Sequence, residues 1–140
     1  MDVKFTWAPT LSVNNEKLDN QHKQLLEQIN KLNETAAEGK GNAAAINETL
    51  NYLEYYFATH KKDEEQYMQE HGYPGLEAHR ALHNLFVEHY IDLKTRILAF
   101  DSEERIIHDL VYDLAHYWVD HVGKEDKKYA EYIRLHPMAA

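Results

Sequence analysis

Four stretches of this chain carry the alternating three- and four-residue spacing of an inward-facing helical stripe, and each stripe is interrupted by residues that an apolar core rejects. The first stripe reads Leu18, His22, Leu25, Ile29, Leu32 and Ala36; the second Ile46, Leu50, Leu53, Phe57, His60, Glu64, Tyr67 and His71. The third reads Leu76, His79, His83, Phe86, Tyr90, Leu93 and Ile97, and the fourth Ile107, Leu110, Leu114, Tyr117 and His121. A polar or charged group in a core is costly unless it is paired or bound to a metal. These histidines and Glu64 must therefore converge on a common partner, and that demand limits the folds open to the chain.

Glycine and proline mark the boundaries of the stripes. Residues 1–17 read as an arm, in which Val3, Phe5 and Trp7 alternate and Pro9 blocks early helix formation; alternation suggests an extended segment on a hydrophobic surface. Helices are expected over about 19–38 (with Asp19 as N-cap), 43–70, 76–99 and 102–122. Gly39-Lys40-Gly41-Asn42 is a turn, and His71-Gly72-Tyr73-Pro74-Gly75 is a breaker. Asp101 or Ser102 caps the fourth helix, and Gly123 can end it, leaving 123–140 as a C-terminal segment. Short connections make sequential helices antiparallel neighbours. The expected architecture is one all-α domain over 1–140, an antiparallel up-down-up-down four-helix bundle with an extended N-terminal arm.

In that topology the start of the first and third helices and the end of the second and fourth share one end of the bundle. His22, His60, Glu64, His79, His83 and His121 all fall there, within roughly 15 Å of that end at 1.5 Å per residue. His60/Glu64 and His79/His83 are i, i+4 pairs, each projecting from one helical face. The pair His121/Asp126 differs, because five residues on an α-helix rotate about 140° beyond a full turn. Gly123 between them is expected to let the chain turn and swing Asp126 back over the site. His89, His108, His116 and His136 lie off the seams and read as solvated, and His71 as a partly exposed cap. Tyr67, Met68, Tyr90, Phe57 and Phe86 read as core. Acid runs such as Asp63-Glu64-Glu65 and Glu103-Glu104 read as solvated faces, with only Glu64 lifted out by its register.

Composition removes competing chemistries. The 140 residues contain no cysteine, which excludes disulfides, iron–sulfur clusters and thiolate zinc. A net charge of −9 without a basic patch argues against nucleic-acid binding. No apolar run approaches a membrane span and the N-terminus does not resemble a signal peptide, so a cytoplasmic protein is expected. The mixed acidic surface shows no self-association patch, and a monomer is expected. Five imidazoles are too many for one zinc, and calcium or magnesium would want carboxylates. Imidazoles mixed with carboxylates suit iron or manganese, with two metals bridged by the carboxylates. The ferritin-like plan, built on Glu-x-x-His, does not fit.

The order His22, His60-x-x-x-Glu64, His79-x-x-x-His83, His121-x-x-x-x-Asp126 resembles that of the hemerythrins. Phe5-Thr6-Trp7, Leu11-Ser12-Val13, Asp19-Asn20-Gln21-His22, Glu64-Glu65 with Met68, and Tyr73-Pro74 before His79 are similar to the bacterial branch. The resemblance implies two iron ions (Fe2+/Fe3+) with an oxo or hydroxo bridge that bind O2 reversibly. By that analogy His79, His83 and His121 hold one iron, His22 and His60 the other, and Glu64 and Asp126 bridge them. Five imidazole bonds, four carboxylate bonds and two from the bridging oxygen fill eleven of twelve octahedral positions, leaving one for O2 beside His22 and His60. Leu25, Lys61, Tyr117, Trp118 and Val122 are the candidate walls of the oxygen pocket.

Two positions depart from the family pattern. Lys61 stands where Phe is frequent, and Tyr117-Trp118 precedes His121 where an aromatic-then-aliphatic order is more usual. Lys61 either reaches the pocket and admits water, or points to solvent while Trp118 closes the space; the second is the favoured reading. The expected role is oxygen storage or delivery to an oxygen-consuming enzyme, and not an enzyme. The alternatives are an oxygen or redox sensor acting through a separate partner, or a di-iron enzyme handling peroxide or nitric oxide.

Overall fold

A computed structural model describes residues 6–37, 43–99 and 103–137, with side chains described except at 36, 37, 43, 96–99 and 103–107. Val3, Phe5, the Gly39-Lys40-Gly41-Asn42 turn, the Asp101/Ser102 cap, the Glu103-Glu104 side chains and those of Ala36, Ile97 and Ile107 lie outside the described residues. The described chain is all-α: a 3-10 turn at Pro9–Leu11, then α1 (Glu16–Ala37), α2 (Ala43–Glu70), α3 (Leu76–Ala99) and α4 (Glu103–Tyr117). A π-helical segment, Trp118–Glu125, follows α4 and passes directly into α5 (Asp126–Leu135). α1 packs on α2 and α4, and α3 closes the bundle against α2 and α4. No helix among the described residues is long and apolar enough to cross a membrane.

Local chemistry sets the helix ends. α1 starts earlier than expected, at Glu16, because Asn15 is its N-cap: the Leu18 N–H donates to Asn15 Oδ1 at 3.0 Å. Asp19, expected as the cap, instead sits inside the first turn. Its carboxylate accepts from the Val13 N–H at 2.8 Å and the Ser12 hydroxyl at 2.5 Å, tying the arm to the helix. At the other junction Gly72 adopts φ 66°, the Tyr73 N–H donates to Met68 O and the Gly72 N–H to Gln69 O. That is the Schellman arrangement, and the positive φ is why glycine serves there.

The buried face of α2 departs instructively from the heptad rhythm. Ile46, Leu50, Leu53, Tyr56, His60, Glu64 and Met68 are buried, while Phe57 and Tyr67 are only half-buried. Those six steps average about 3.7 residues, the period of a straight helix and not of a supercoiled heptad seam, from which it drifts about 20° per heptad. Tyr56 therefore replaces Phe57 on the inner face, and Met68 replaces Tyr67. The main core gathers Leu25, Leu26, Ile29 and Leu32 of α1 with Leu50, Leu53, Leu93, Leu110 and Leu114. A second cluster (Val13, Leu18, Met68, Tyr129 and Ala130) lies beyond the polar layer and seals that end. The Lys127 ammonium fastens α5 to the arm by donating to Ser12 O at 2.7 Å.

Candidate metal centre

All seven residues singled out above meet between these two apolar clusters. His22, His60, Glu64, His79, His83, His121 and Asp126 are each buried, and Glu64 and Asp126 are wholly so. Every histidine turns Nε2 toward the two carboxylates, and the five divide by which oxygens they face. His79 and His83 approach Glu64 Oε1 at 2.8 and 2.9 Å, and His79 and His121 approach Asp126 Oδ1 at 2.9 and 3.1 Å. On the other side, His22 and His60 approach Glu64 Oε2 at 3.3 and 3.0 Å, and His22 approaches Asp126 Oδ2 at 3.0 Å. Glu64 thus offers one oxygen to His79, His83 and His121 and the other to His22 and His60, while Asp126 offers one oxygen to His79 and His121 and the other to His22.

These separations fit two ions. Donors on adjacent corners of an octahedron with bonds of about 2.1 Å lie about 3 Å apart. His121 to Glu64 Oε1, at 3.7 Å, is the loosest edge. Hydrogen bonding does not account for the cluster. His60, His83 and His121 Nε2 and both oxygens of Asp126 are buried without a hydrogen-bond partner, although oppositely polar atoms stand close by. Orphaned donor atoms aimed at common points are what a metal site requires of its ligands. Within the described residues, Glu64, His79, His83 and His121 form one potential cation-binding group, and His22, His60, Glu64 and Asp126 another.

Burial opposes charge on His22, His60, Glu64, His79, His121 and Asp126, and at all but His60 the neighbouring groups of opposite charge outweigh it. Burial alone would lower His22 and His79, but the facing carboxylates of Asp126 and Glu64 outweigh it and push each pKa up to about 9. The same two carboxylates outweigh burial at His121 and push it up to about 10. At His60 burial prevails over Glu64, and the pKa falls below the usual histidine value. Burial would raise both carboxyls, but the surrounding imidazoles hold Glu64 and Asp126 well below the ordinary range. Without metal, the carboxylates are ionised and protons take the places of cations; metal binding must displace those protons.

The geometry of His121 and Asp126 corrects the expected turn at Gly123. The helix does not end at residue 122. It widens into the π segment, where the Asp126 N–H donates to His121 O. A π turn closes i→i+5 hydrogen bonds, so residues five apart return to the same face. Gly123 has no positive φ, and a Cβ there would meet only Trp118 O at 3.8 Å. The five-residue spacing is itself the signature of the π segment, and no glycine turn is needed.

Behind the donors stands a layer that the acid-run reading missed. His60 Nδ1 pairs with Gln21 Oε1 at 2.6 Å, and Gln21 donates to Asp63 at 2.8 Å. His83 Nδ1 pairs with Glu65 at 2.8 Å, and Glu65 is held by Arg80 at 3.1 Å. Asp63 and Glu65 are therefore not a solvated face; they fix ring orientation so that Nε2 points inward. The Tyr129 hydroxyl donates to Glu64 Oε2 at 3.0 Å, with burial keeping the phenol protonated. Tyr129 lies in the C-terminal segment to which no role was assigned. Its position three residues after Asp126, one turn along the same face, was the available signal.

The candidate pocket walls separate into two sets. Leu25, Tyr117, Trp118 and Val122 are buried in one cluster with Tyr56. Tyr117 stacks on His121 at 4.9 Å, and the Trp118 indole N–H donates to His22 O at 3.2 Å. Lys61 does not belong to that wall. It lines a surface groove between α2 and α3 with Phe57, Lys62, Glu65 and Val87, because the residue after His60 is rotated about 100° around the helix. His89, His108, His116 and His136 are exposed, and His71 is half-buried against Tyr67.

The Hemerythrin HHE cation binding domain matches residues 13–133. Bacteriohemerythrin of Methylococcus capsulatus is 35% identical over 126 residues, spanning 89% of this chain and 93% of that protein. Bacteriohemerythrin of Stenotrophomonas maltophilia is 28% identical over 132 residues, spanning 94% and 83%. Myohemerythrin of Theromyzon tessulatum is 32% identical over 126 residues, spanning 89% and 90%.

Proposed function

The chain belongs to the hemerythrin family, and on that premise we propose that it binds O2 reversibly at a non-haem di-iron centre, for storage or for delivery to an oxygen-consuming enzyme. His79, His83 and His121 would hold one iron and His22 and His60 the other, with Glu64 and Asp126 available to both. The observation that carries this reading is the split of three imidazoles and two about the opposite oxygens of the same two carboxylates. The irons supply the electrons that make O2 binding reversible.

The protein's own contribution is placement and exclusion of water. Gln21 and Glu65 aim His60 and His83, and Tyr129 supports Glu64 by donating to Oε2. The apolar cluster of Leu25, Trp118 and Val122 covers the two-histidine side and keeps solvent protons away from it. Binding rather than turnover is favoured because the acids nearest the ligands are committed: Asp63 to Gln21, and Glu65 to His83 and Arg80.

The test is to load metal-free protein with Fe(II) anaerobically, admit O2, and then remove it. A visible absorption that appears with O2 and fades on its removal supports a carrier. Irreversible conversion to a ferric form would overturn reversible binding in favour of an enzyme or redox sensor.

A further inference from the structure

Two of the buried tyrosines spend their hydroxyls on the protein itself. Tyr90 donates to Leu50 O at 3.1 Å, and Tyr129 donates to Glu64. Tyr56 is 2% exposed and its hydroxyl has no hydrogen-bond partner. A buried hydroxyl without a partner costs about 1–3 kcal/mol, so such a group is retained for a reason or filled by a ligand.

Its position suggests the ligand. Tyr56 lies one turn before His60 on α2, and its ring stacks on that imidazole at 4.6 Å and 14°. His60 in turn meets His22 edge-on at 4.7 Å, so Tyr56 belongs to the two-histidine side. Tyr117 makes the corresponding stack on His121, on the three-histidine side. The cluster that contains Tyr56 also contains Leu25, Trp118 and Val122, and the Trp118 indole N–H is already given to His22 O. Among the described residues of that cluster, the Tyr56 hydroxyl is the fully buried side-chain polar atom with no protein partner.

Resting on the di-iron reading above, we propose that the Tyr56 hydroxyl donates a hydrogen bond to the small ligand taken up beside His22 and His60, and so sets how long that ligand stays. A donor held in an apolar wall is worth most to a ligand that gains negative charge on binding, because charge-assisted hydrogen bonds are the strong ones. It would favour O2 and small anions such as azide over an uncharged ligand that accepts poorly. Tyr56 acts as a ligand-positioning residue and leaves metal loading to the seven donors.

Tyr56→Phe removes the oxygen alone, and Tyr90→Phe is the control, since its hydroxyl is paired at a distance from the site. In the metal-free protein Tyr56→Phe is expected to keep or raise the thermal midpoint, by about 2–5 °C, whereas Tyr90→Phe lowers it. In the iron-loaded protein Tyr56→Phe releases O2 faster, and its ferric form binds azide more weakly, each by about tenfold. The infrared stretch of bound azide also shifts, a change that altered packing alone does not produce; Tyr90→Phe leaves all three as in the parent. If the parent binds O2 reversibly and Tyr56→Phe matches it in release, azide affinity and infrared stretch, the Tyr56 assignment is overturned while the di-iron reading stands. If the parent itself takes up no iron pair, the di-iron reading and the inference resting on it both fall.

Discussion

The two halves of the cluster are built from the same parts but held to different standards. The three-histidine half takes its imidazoles from α3 and the π segment, and His79 makes the shortest imidazole contact to each carboxylate, at 2.8 and 2.9 Å. Its outer anchor is a charged one, Glu65 on His83, backed by Arg80. The two-histidine half draws on α1 and α2, its outer anchor is the neutral Gln21, and His22 Nδ1 is buried with no partner. It also faces a tyrosine whose hydroxyl is unspent. The charged anchor belongs to one half, and the neutral anchor and the unpaired Tyr56 hydroxyl belong to the other. The difference shows that ligand count is only part of a metal site's design, because the groups behind the ligands decide which half is rigid.

The severest way to break the comparison is to cut a residue that both halves share in effect. His79→Ala is expected to abolish stable loading of both irons, since Glu64 and Asp126 would each lose the imidazole that lies nearest to them. His108→Ala, at an exposed position, should load as the parent does. Iron per chain after desalting is the measurement. Retention of one iron by His79→Ala would show that the two-histidine half stands alone.

Metal removal should come next in size. Stripping the irons is expected to lower the thermal midpoint on the order of 10 °C, because a ligand bound only to the folded state stabilises it by mass action. The metal-free protein should then show its own pH dependence. His22 and His79 rise from 6.5 to about 9 and His121 to about 10, so the stability they contribute is complete below pH 6.5 and fades toward pH 9 and above. Glu64 and Asp126 are depressed, so their contribution is present above their ordinary range and fades as the medium becomes acidic. His60, which burial lowers, loses stability as the pH falls below 6.5, so scanning calorimetry should find the metal-free optimum near pH 6.5. The loaded protein should lose nothing from pH 6.5 to 8, since its imidazoles carry metal in place of protons. A loaded protein that weakened in parallel with the stripped one would contradict the ligand assignment.

A finer cut separates the halves by their anchors. Glu65→Ala should weaken metal retention in the three-histidine half by about 10- to 100-fold, and Gln21→Ala should weaken the other half less. A chelator competition followed in time would resolve the two irons as separate phases. Equal effects would mean that the charge on the anchor is irrelevant.

How much of this could be read beforehand depended on which periodicity a residue obeyed. Six of the donors were legible because seam register and depth along each helix are both set by spacing, and neither needs side-chain packing to be known; Asp126 was not, because its return to the site depends on the π segment. Tyr56 was not, because a strict heptad rhythm put Phe57 on the inner face while the straight helix put Tyr56 there. Glu65 and Gln21 were hidden for another reason. They act from the flank of one helix onto a neighbour's imidazole, and cross-helix reach has no signal in one segment's spacing. The 3-10 turn at Pro9–Leu11 and the cap at Asn15 were likewise decided by short-range hydrogen bonds, within the arm for the turn and from the first turn of α1 for the cap.

The smallest effect tests the way Asp126 comes back to the three-histidine half. If a glycine turn swung it inward, Gly123→Ala would strain the backbone and loosen iron. In the structure Gly123 sits inside the π segment without a positive φ, and an added Cβ has only a carbonyl at 3.8 Å to meet. Alanine also favours helical backbone over glycine by about 1 kcal/mol. Gly123→Ala is therefore expected to leave iron content unchanged and to raise the thermal midpoint by about 2–4 °C. What would damage the half is a change in the count between His121 and Asp126. Deleting one residue of the intervening four would convert the i→i+5 spacing into an α-helical one, with the π segment lost and the stack of Tyr117 on His121 set against the position of the carboxylate. Unchanged iron content in that deletion would show that the π segment is incidental to the site.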